Sequence, residues 1–200
     1  MEARDESTHQ HAERVRRYAM ALARHAGIVE PQILHAIATA ALLHDVGKLA
    51  IPDRLLDKPG PLTPGEYEQV KQHAVIGADI VSPVPFPGPL APLVRHHHEN
   101  WDGSGYPDRR RRDDIPVGAR VLALADCYDA LTSDRPYRGA LDHNTAIAMI
   151  HERRGSMFDP QMTDVFLQIV WRLRPVSNTN RAAARQPRAR GPWPIEAGAR

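Results

Sequence analysis

The segment PQILHAIATAALLHDVGK, residues 31–48, constrains the fold more than any other stretch of the chain. Leu34, Ile37, Ala38, Ala41 and Leu42 recur at three- and four-residue spacing, which predicts a helix over residues 31–46 with one buried stripe. Pro31 suits its first position and Gly47 its stop. His44 and Asp45 follow Ile37 and Ala38 by two helical turns, so they fall on or beside the buried face. A carboxylate turned toward a core needs a compensating partner, and a metal ion is one. An imidazole beside a carboxylate can bind one ion, and the second carboxylate oxygen can reach another. A fold that carries this doublet must bring further ligands to the end of that helix.

The rest of the chain supplies more helices. Val15, Tyr18, Ala19, Leu22 and Ala26 form one face of a helix over residues 8–26. Thr63-Pro64-Gly65-Glu66 is a capping box with a first-turn proline, and it opens a helix to about residue 81. Its inward face is Tyr67, Val70, Ala74, Gly77 and Val81, with His73 beside it. A Pro-rich loop and a short helix carrying Leu93 lead to a histidine run. After a loop over 102–116, Val121, Leu124, Ala125 and Tyr128 mark a helix near 117–132. Asp142 caps another helix, ending near Gly155, and Asp159-Pro160 starts the last. No alternating strand pattern competes, so the fold class is all-α, a compact helical bundle. Residues 1–174 form one domain, and the aperiodic Pro, Arg and Ala of 175–200 form a disordered tail.

The net charge of +2 hides an asymmetry, because residues 175–200 hold five Arg and one Glu. The basic character is that of the tail, and it does not point to a nucleic-acid polymer as partner. The single Cys127 excludes an internal disulfide and fits a reducing compartment, the cytoplasm. No stretch reads as long and apolar enough for a membrane span, and the first twenty residues lack the apolar run of a secretion signal.

Histidines and carboxylates from five segments carry the chemistry: His11; His44 with Asp45; His73; His97 with His98; and Asp126. Helical bundles build dimetal sites by converging such residues on one pocket. Imidazole and carboxylate without thiolate suit Fe or Mn, and also Zn or Ni. Asp126 and Asp129 share a helix face with Leu122. His9, His25, His35, His143 and His151 read as ordinary surface or hydrogen-bonded histidines, and His96 adjoins the pair without a clear assignment.

These residues stand in blocks that resemble the HD-GYP domain, a branch of the HD phosphohydrolase superfamily. The matching blocks are His11 with Arg14-Val15, HDVGKLAIPDRLLDKPGPLT (44–63) and His73 with Ile76-Gly77. HHENWDGSGYP (97–107), Ile115-Pro116, DCYDALTSDRPYR (126–138) and Gly155 with FDP (158–160) follow in order. The resemblance implies one metal bound by His11, His44, Asp45 and Asp126, and a second bound by Asp45, His73, His97 and His98. Asp45 bridges, and a hydroxide shared by the ions attacks the phosphodiester. The implied reaction opens cyclic di-GMP to pGpG, and further to GMP. Lys48 would contact a phosphate oxygen and take part in catalysis. Arg135 and Arg138 would grip the second phosphate or a guanine edge. Tyr106 would stack on a base, meet a partner such as a GGDEF-type domain, or anchor the loop. Gly103 and Gly105 would permit tight turns, while Trp101 and Asp102 shape the loop.

Three departures from the family pattern matter. The Glu that holds a third metal in some members is replaced by Ser7, with Glu6 beside it, so a two-metal site is expected. Asp129 is then a group behind the ligands or one that orients substrate. Arg109, Arg110, Arg111 and Arg112 replace the Gly-Leu-x-Gly turn after GYP, and read as a solvated basic loop. The chain begins close to His11, where the family has a longer helix; apolar surface left uncovered would favour a homodimer. Two other functions fit the same residues: an HD hydrolase acting on another nucleotide, and a module that senses cyclic dinucleotides or docks a partner without turnover.

Overall fold

The computed structural model describes residues 2–134 and 139–173. Arg135 and Arg138, and the tail over 175–200, lie outside the described residues. Eight α-helices follow in order among the described residues: α1 (Glu2–His25), α2 (Pro31–Leu43), α3 (Asp53–Leu56), α4 (Pro64–Val81), α5 (Leu90–His96), α6 (Val117–Thr132), α7 (His143–Glu152) and α8 (Pro160–Ile169). Short 3₁₀ segments add Val46–Ala50, Arg112–Asp114 and Val170–Arg172. No strand occurs among the described residues beyond one isolated bridge between Arg154 and Phe158.

The centre is α6, buried at ten of its sixteen positions, from Gly118 to Leu131. Its sequence is apolar almost all round, and such a helix must be covered on every side. The coverings are α1, α2, α5, α7 and α8. Val15, Tyr18, Ala19 and Leu22 of α1 are fully buried, as their spacing predicts. Tyr18 meets Tyr128 edge-on with centroids 5.0 Å apart, and Tyr128 meets Phe166 at 5.3 Å, which ties α1, α6 and α8 together.

Helix starts are set by the expected caps. Thr63 and Glu66 form the reciprocal capping box of α4. The Asp142 side chain accepts from the amides of Asn144 and Thr145, and Asp159 accepts from Gln161 and Met162.

The α2 region departs from expectation in four ways. Its buried residues are Ala36, Ile37, Ala40 and Ala41, whereas Leu42 is 41% exposed. Apart from Ile37, the fully buried residues of α2 are alanines, which let the neighbouring helices approach. The helix ends at Leu43 instead of 46, and Val46–Ala50 continues as 3₁₀. Gly47 is not a stop. It sits inside the 3₁₀ segment against α4, where a Cβ would lie 2.0 Å from the His73 carbonyl oxygen. Finally, by length and composition Pro31–Ala50 does reach the threshold of a membrane span, with mean hydropathy 1.2 over an 18-residue window. That stretch is here a 13-residue helix followed by the 3₁₀ segment.

Candidate metal centre

The close approach at Gly47 brings the end of α2 onto the middle of α4. His44 and Asp45 then face His73, and α5 delivers His97 and His98 from the other side. His44, His73 and His97 are each 3% exposed or less. From the opposite edge, α1 brings His11 and α6 brings Asp126. All seven ligands expected from the sequence therefore converge on one place.

Asp45 stands in the middle. Its Oδ2 lies 3.6 Å from His44 Nε2 and its Oδ1 lies 3.6 Å from His73 Nε2. Asp126 Oδ1 is 3.5 Å from His11 Nε2 and 3.9 Å from His44 Nε2. These gaps are too long for hydrogen bonds. They match ligand pairs about an ion, because two bonds of about 2.1 Å at a tetrahedral angle separate their atoms by roughly 3.4 Å. The donors form two groups, His11 with His44 and Asp126, and His73 with His97 and His98; within each, the ligand atoms lie within 4.8 Å of one another.

The imidazoles are pre-set as ligands. The Nδ1–H groups of His44, His73 and His97 donate to the carbonyls of Ala41, Val70 and Val94, at 3.0, 2.7 and 2.6 Å. His11 Nδ1–H donates instead to Asp129 Oδ2 at 2.7 Å. Each ring then presents its Nε2 lone pair inward, the tautomer a metal ligand requires. His73 Nε2 and His97 Nε2 face each other at 3.4 Å. Two lone pairs so close repel unless a cation lies between them. His44 Nε2 is buried with no hydrogen-bond partner. The residues present thus fit divalent ions.

Electrostatics agree with this reading. Burial holds His73 below the usual imidazole range. Burial, then the neighbouring imidazoles, hold His97 and His98 well below it. Burial alone would push the Asp45 carboxyl up, but the Lys48 ammonium beside it is the largest opposing influence, and the group is held well below the usual carboxylate range. The Lys48 ammonium sits 2.6 Å from Asp45 Oδ2, with its side chain 41% exposed.

Asp129, fully buried, stands behind the ligands. Beyond His11 it takes the fork of Arg14, with Nε to Oδ1 at 2.6 Å and a terminal nitrogen to Oδ2 at 3.0 Å. Burial would raise its carboxyl, and the bonds from His11 and Arg14 lower it overall. Tyr106 stacks at 4.8 Å on His98 and meets Tyr67 edge-on at 6.3 Å. Its phenol is pushed up by burial.

Around the GYP turn, three expectations are refined. Gly103 has φ +85°, the tight turn expected. Gly105 instead serves close approach, since a Cβ would lie 2.3 Å from the Asn100 amide nitrogen and 2.5 Å from the His98 carbonyl oxygen. The arginine run is exposed but partly tied down: the Arg110 amide donates to Glu99 and Arg111 Nε donates to the Asp102 carbonyl. Arg109 and Arg112 adopt φ of +55° and +48°, at the two glycine positions of the family turn. The sequence reading passed over Glu99, which is 2% exposed. It accepts the amides of Asp108 and Arg110, so it closes the GYP loop onto its own start. Its place directly after two ligands was the available signal. The histidines read as ordinary (His9, His25, His35, His143 and His151) join none of the potential metal groups among the described residues.

Comparison with known proteins places this geometry. Residues 1–162 match the HD domain family. A cyclic di-GMP phosphodiesterase of Thermotoga maritima is 41% identical over 172 residues, covering 84% of this chain and 46% of the relative. The response regulator RpfG of Xanthomonas campestris, a cyclic di-GMP phosphodiesterase, is 41% identical over 170 residues, covering 84% and 45%. A 3′3′-cGAMP-specific phosphodiesterase of Vibrio cholerae is 36% identical over 170 residues, covering 84% and 32%. The chain spans less than half the length of these relatives. Among solved structures, an HDG"Y"P protein of Bdellovibrio bacteriovorus shares the fold with TM-score 0.66 at 22% identity, covering 82% of this chain and 52% of that one. With its ligand blocks in order, its all-helical fold and these relatives, the chain belongs to the HD domain family, on its HD-GYP branch.

Proposed function

We propose that this chain is a metal-dependent phosphodiesterase that opens cyclic di-GMP to linear pGpG, and on to GMP. The observation that carries the proposal is Asp45, whose two oxygens each stand 3.6 Å from an imidazole of a different ligand group. A carboxylate so placed can bridge two ions. His11, His44 and Asp126 would complete one position, and His73, His97 and His98 the other. The donor set, imidazole and carboxylate without thiolate, favours Fe or Mn. Bound there, two divalent ions neutralise phosphodiester charge and acidify an attacking water.

The chain's own groups do the remaining work. The half-exposed Lys48 ammonium, at the open side of Asp45, is placed to take a non-bridging phosphate oxygen. Tyr106, part-exposed beside His98, offers a ring face to a guanine. Arg135 and Arg138, which follow α6 in the sequence, would clamp the second phosphate or a guanine edge in bidentate fashion. The relatives' names support a cyclic dinucleotide as substrate, in a cytoplasm whose reducing state suits the lone buried Cys127. The GYP turn is the surface we assign to a GGDEF-type partner.

Anaerobically purified protein, loaded with Fe or Mn, is expected to convert cyclic di-GMP, while Asp45→Ala and His44→Ala give no product. A panel including 3′3′-cGAMP sets the preference. Inactivity of the loaded wild type on every cyclic dinucleotide sinks the proposal. Calorimetric binding without product would instead establish the sensing module.

A further inference from the structure

A second convergence of ligand atoms lies outside the centre just described. His96, the last residue of α5, is 2% exposed, and its Nδ1 has no hydrogen-bond partner. That nitrogen points between two carboxylates, 3.6 Å from Glu99 Oε1 and 3.7 Å from Asp108 Oδ2. Both gaps are too long for hydrogen bonds. Both are close to the roughly 3.4 Å that separates two ligands of one small divalent ion. The three ligand atoms all lie within 4.8 Å of one another.

We infer that His96, Glu99 and Asp108 form an additional, non-catalytic site for a divalent transition ion such as zinc. Three features argue for a built site. Glu99 is oriented by the amides of Asp108 and Arg110, at 2.8 and 3.1 Å. Asp108 is oriented by the fork of Arg95, at 2.9 and 2.8 Å. Each carboxylate oxygen retains a second lone pair for an ion, the arrangement that fixes ligands in metal sites. The net charge is also right: Asp79, Glu99 and Asp108 against the guanidiniums of Arg95 and Arg110 leave a single negative charge to meet the ion. Lastly, an open cleft of about 400 Å³, lined by Asp79, Arg95, His96 and Arg110, gives the ion a way in.

The site would act on the loop. His96 and Glu99 flank His97 and His98, and Asp108 immediately follows Tyr106-Pro107. An ion here clamps both ends of the GYP turn and holds Tyr106 against His98.

The test counts metal in full-length protein, stripped and then dialysed against zinc, and repeats it with cobalt for its visible d–d bands. Asp108→Asn removes a ligand charge on an exposed residue. Arg95→Gln removes the group that orients Asp108 but leaves all three ligands, so it should weaken the site and still fill it at excess zinc. His73→Ala damages only the centre described above. We expect Asp108→Asn to bind one equivalent fewer than wild type at excess metal, with loss of one set of cobalt bands. At the same excess Arg95→Gln and His73→Ala keep that equivalent. An unchanged count in Asp108→Asn overturns the inference, and so does an equal loss in Arg95→Gln, which would trace the change to the ion pair. The readout is a difference between variants and uses no turnover, so it stands or falls separately from the proposed activity.

Discussion

Replacing Asp129 by Asn should loosen one half of the metal centre and destabilise the fold together. The side chain is fully buried and receives three charge-assisted bonds, one from His11 and two from Arg14. Removing one partner of a buried ion pair costs about 3–5 kcal/mol. Arg14 keeps 27% exposure, so water recovers part of that loss. Asn retains one acceptor, and a net cost of about 2–3 kcal/mol is expected. For a domain of this size that lowers Tm by roughly 4–12 °C. Without an anchored Nδ1–H, His11 loses its fixed tautomer, and affinity at its ion position should fall about 10–100-fold. Calorimetric melting of the metal-free protein reads the first effect, and competition with a graded chelator reads the second. Ser133→Ala, which removes a hydroxyl that accepts from Arg14 at 3.1 Å and donates weakly to Asp129 Oδ2 at 3.4 Å but leaves the carboxylate, is the control and should move neither by much. A chelator midpoint for Asp129→Asn equal to wild type would refute the claim that this carboxylate holds His11 in place.

Gly47→Ala should separate α2 from α4, because its Cβ would meet backbone atoms at 2.0, 2.6 and 2.9 Å that no rotamer change can move; a loss of about 1–3 kcal/mol in melting experiments is expected, with weaker metal binding, and an unchanged melt would contradict it. Arg112→Gly should stabilise, since φ +48° costs an L-residue about 1–2 kcal/mol, partly offset by about 0.5–1 kcal/mol of glycine entropy; a lower Tm would count against the strain. The Glu66 carboxyl is lowered from 4.5 to about 2 by Lys58 and the Thr63 cap. A depressed carboxylate stabilises above its unfolded value and loses that contribution as pH falls. The Tm gap between wild type and Glu66→Gln should therefore be full at neutral pH and close between pH 4.5 and about 2; a gap that persists at the acid end would contradict it.

What could be read from the sequence was local. The capping box at Thr63 and the aspartate caps at 142 and 159 act within three residues, so they stand as written. The face of α1 was also legible, because Val15, Tyr18 and Leu22 recur at three- and four-residue spacing with Ala19 beside them. In α2 the pattern misled. Hydrophobicity favoured Leu42, while the neighbouring helices need the small side chains of Ala36 and Ala40 to come close. Gly47 was misread for the same reason, since its partner backbone is 26 residues away at His73 and cannot be seen locally. The candidate ligands were legible as residue types in family order. Their support was less so: Arg14 reaches Asp129 across 115 residues.

The four anchored imidazoles divide along that same line between local and distant. His44, His73 and His97 each donate Nδ1–H to a carbonyl three residues earlier in their own chain segment. Folding of that segment alone sets their tautomer. His11 takes its anchor from Asp129, 118 residues later. Its ligand geometry exists only once α1 has docked on α6, and that docking buries Tyr18 against Tyr128 in the core. Asp126, in the same donor group, lies on α6 as well. One donor group is thus assembled around α4 and α5 from rings fixed by nearby backbone. The other depends on packing between the first long helix and the sixth. Asp45 stands between the two groups, and α6 also packs on α2 and α5, so a disturbance of the α1–α6 contact would reach the second group both through that carboxylate and through the packing of α6.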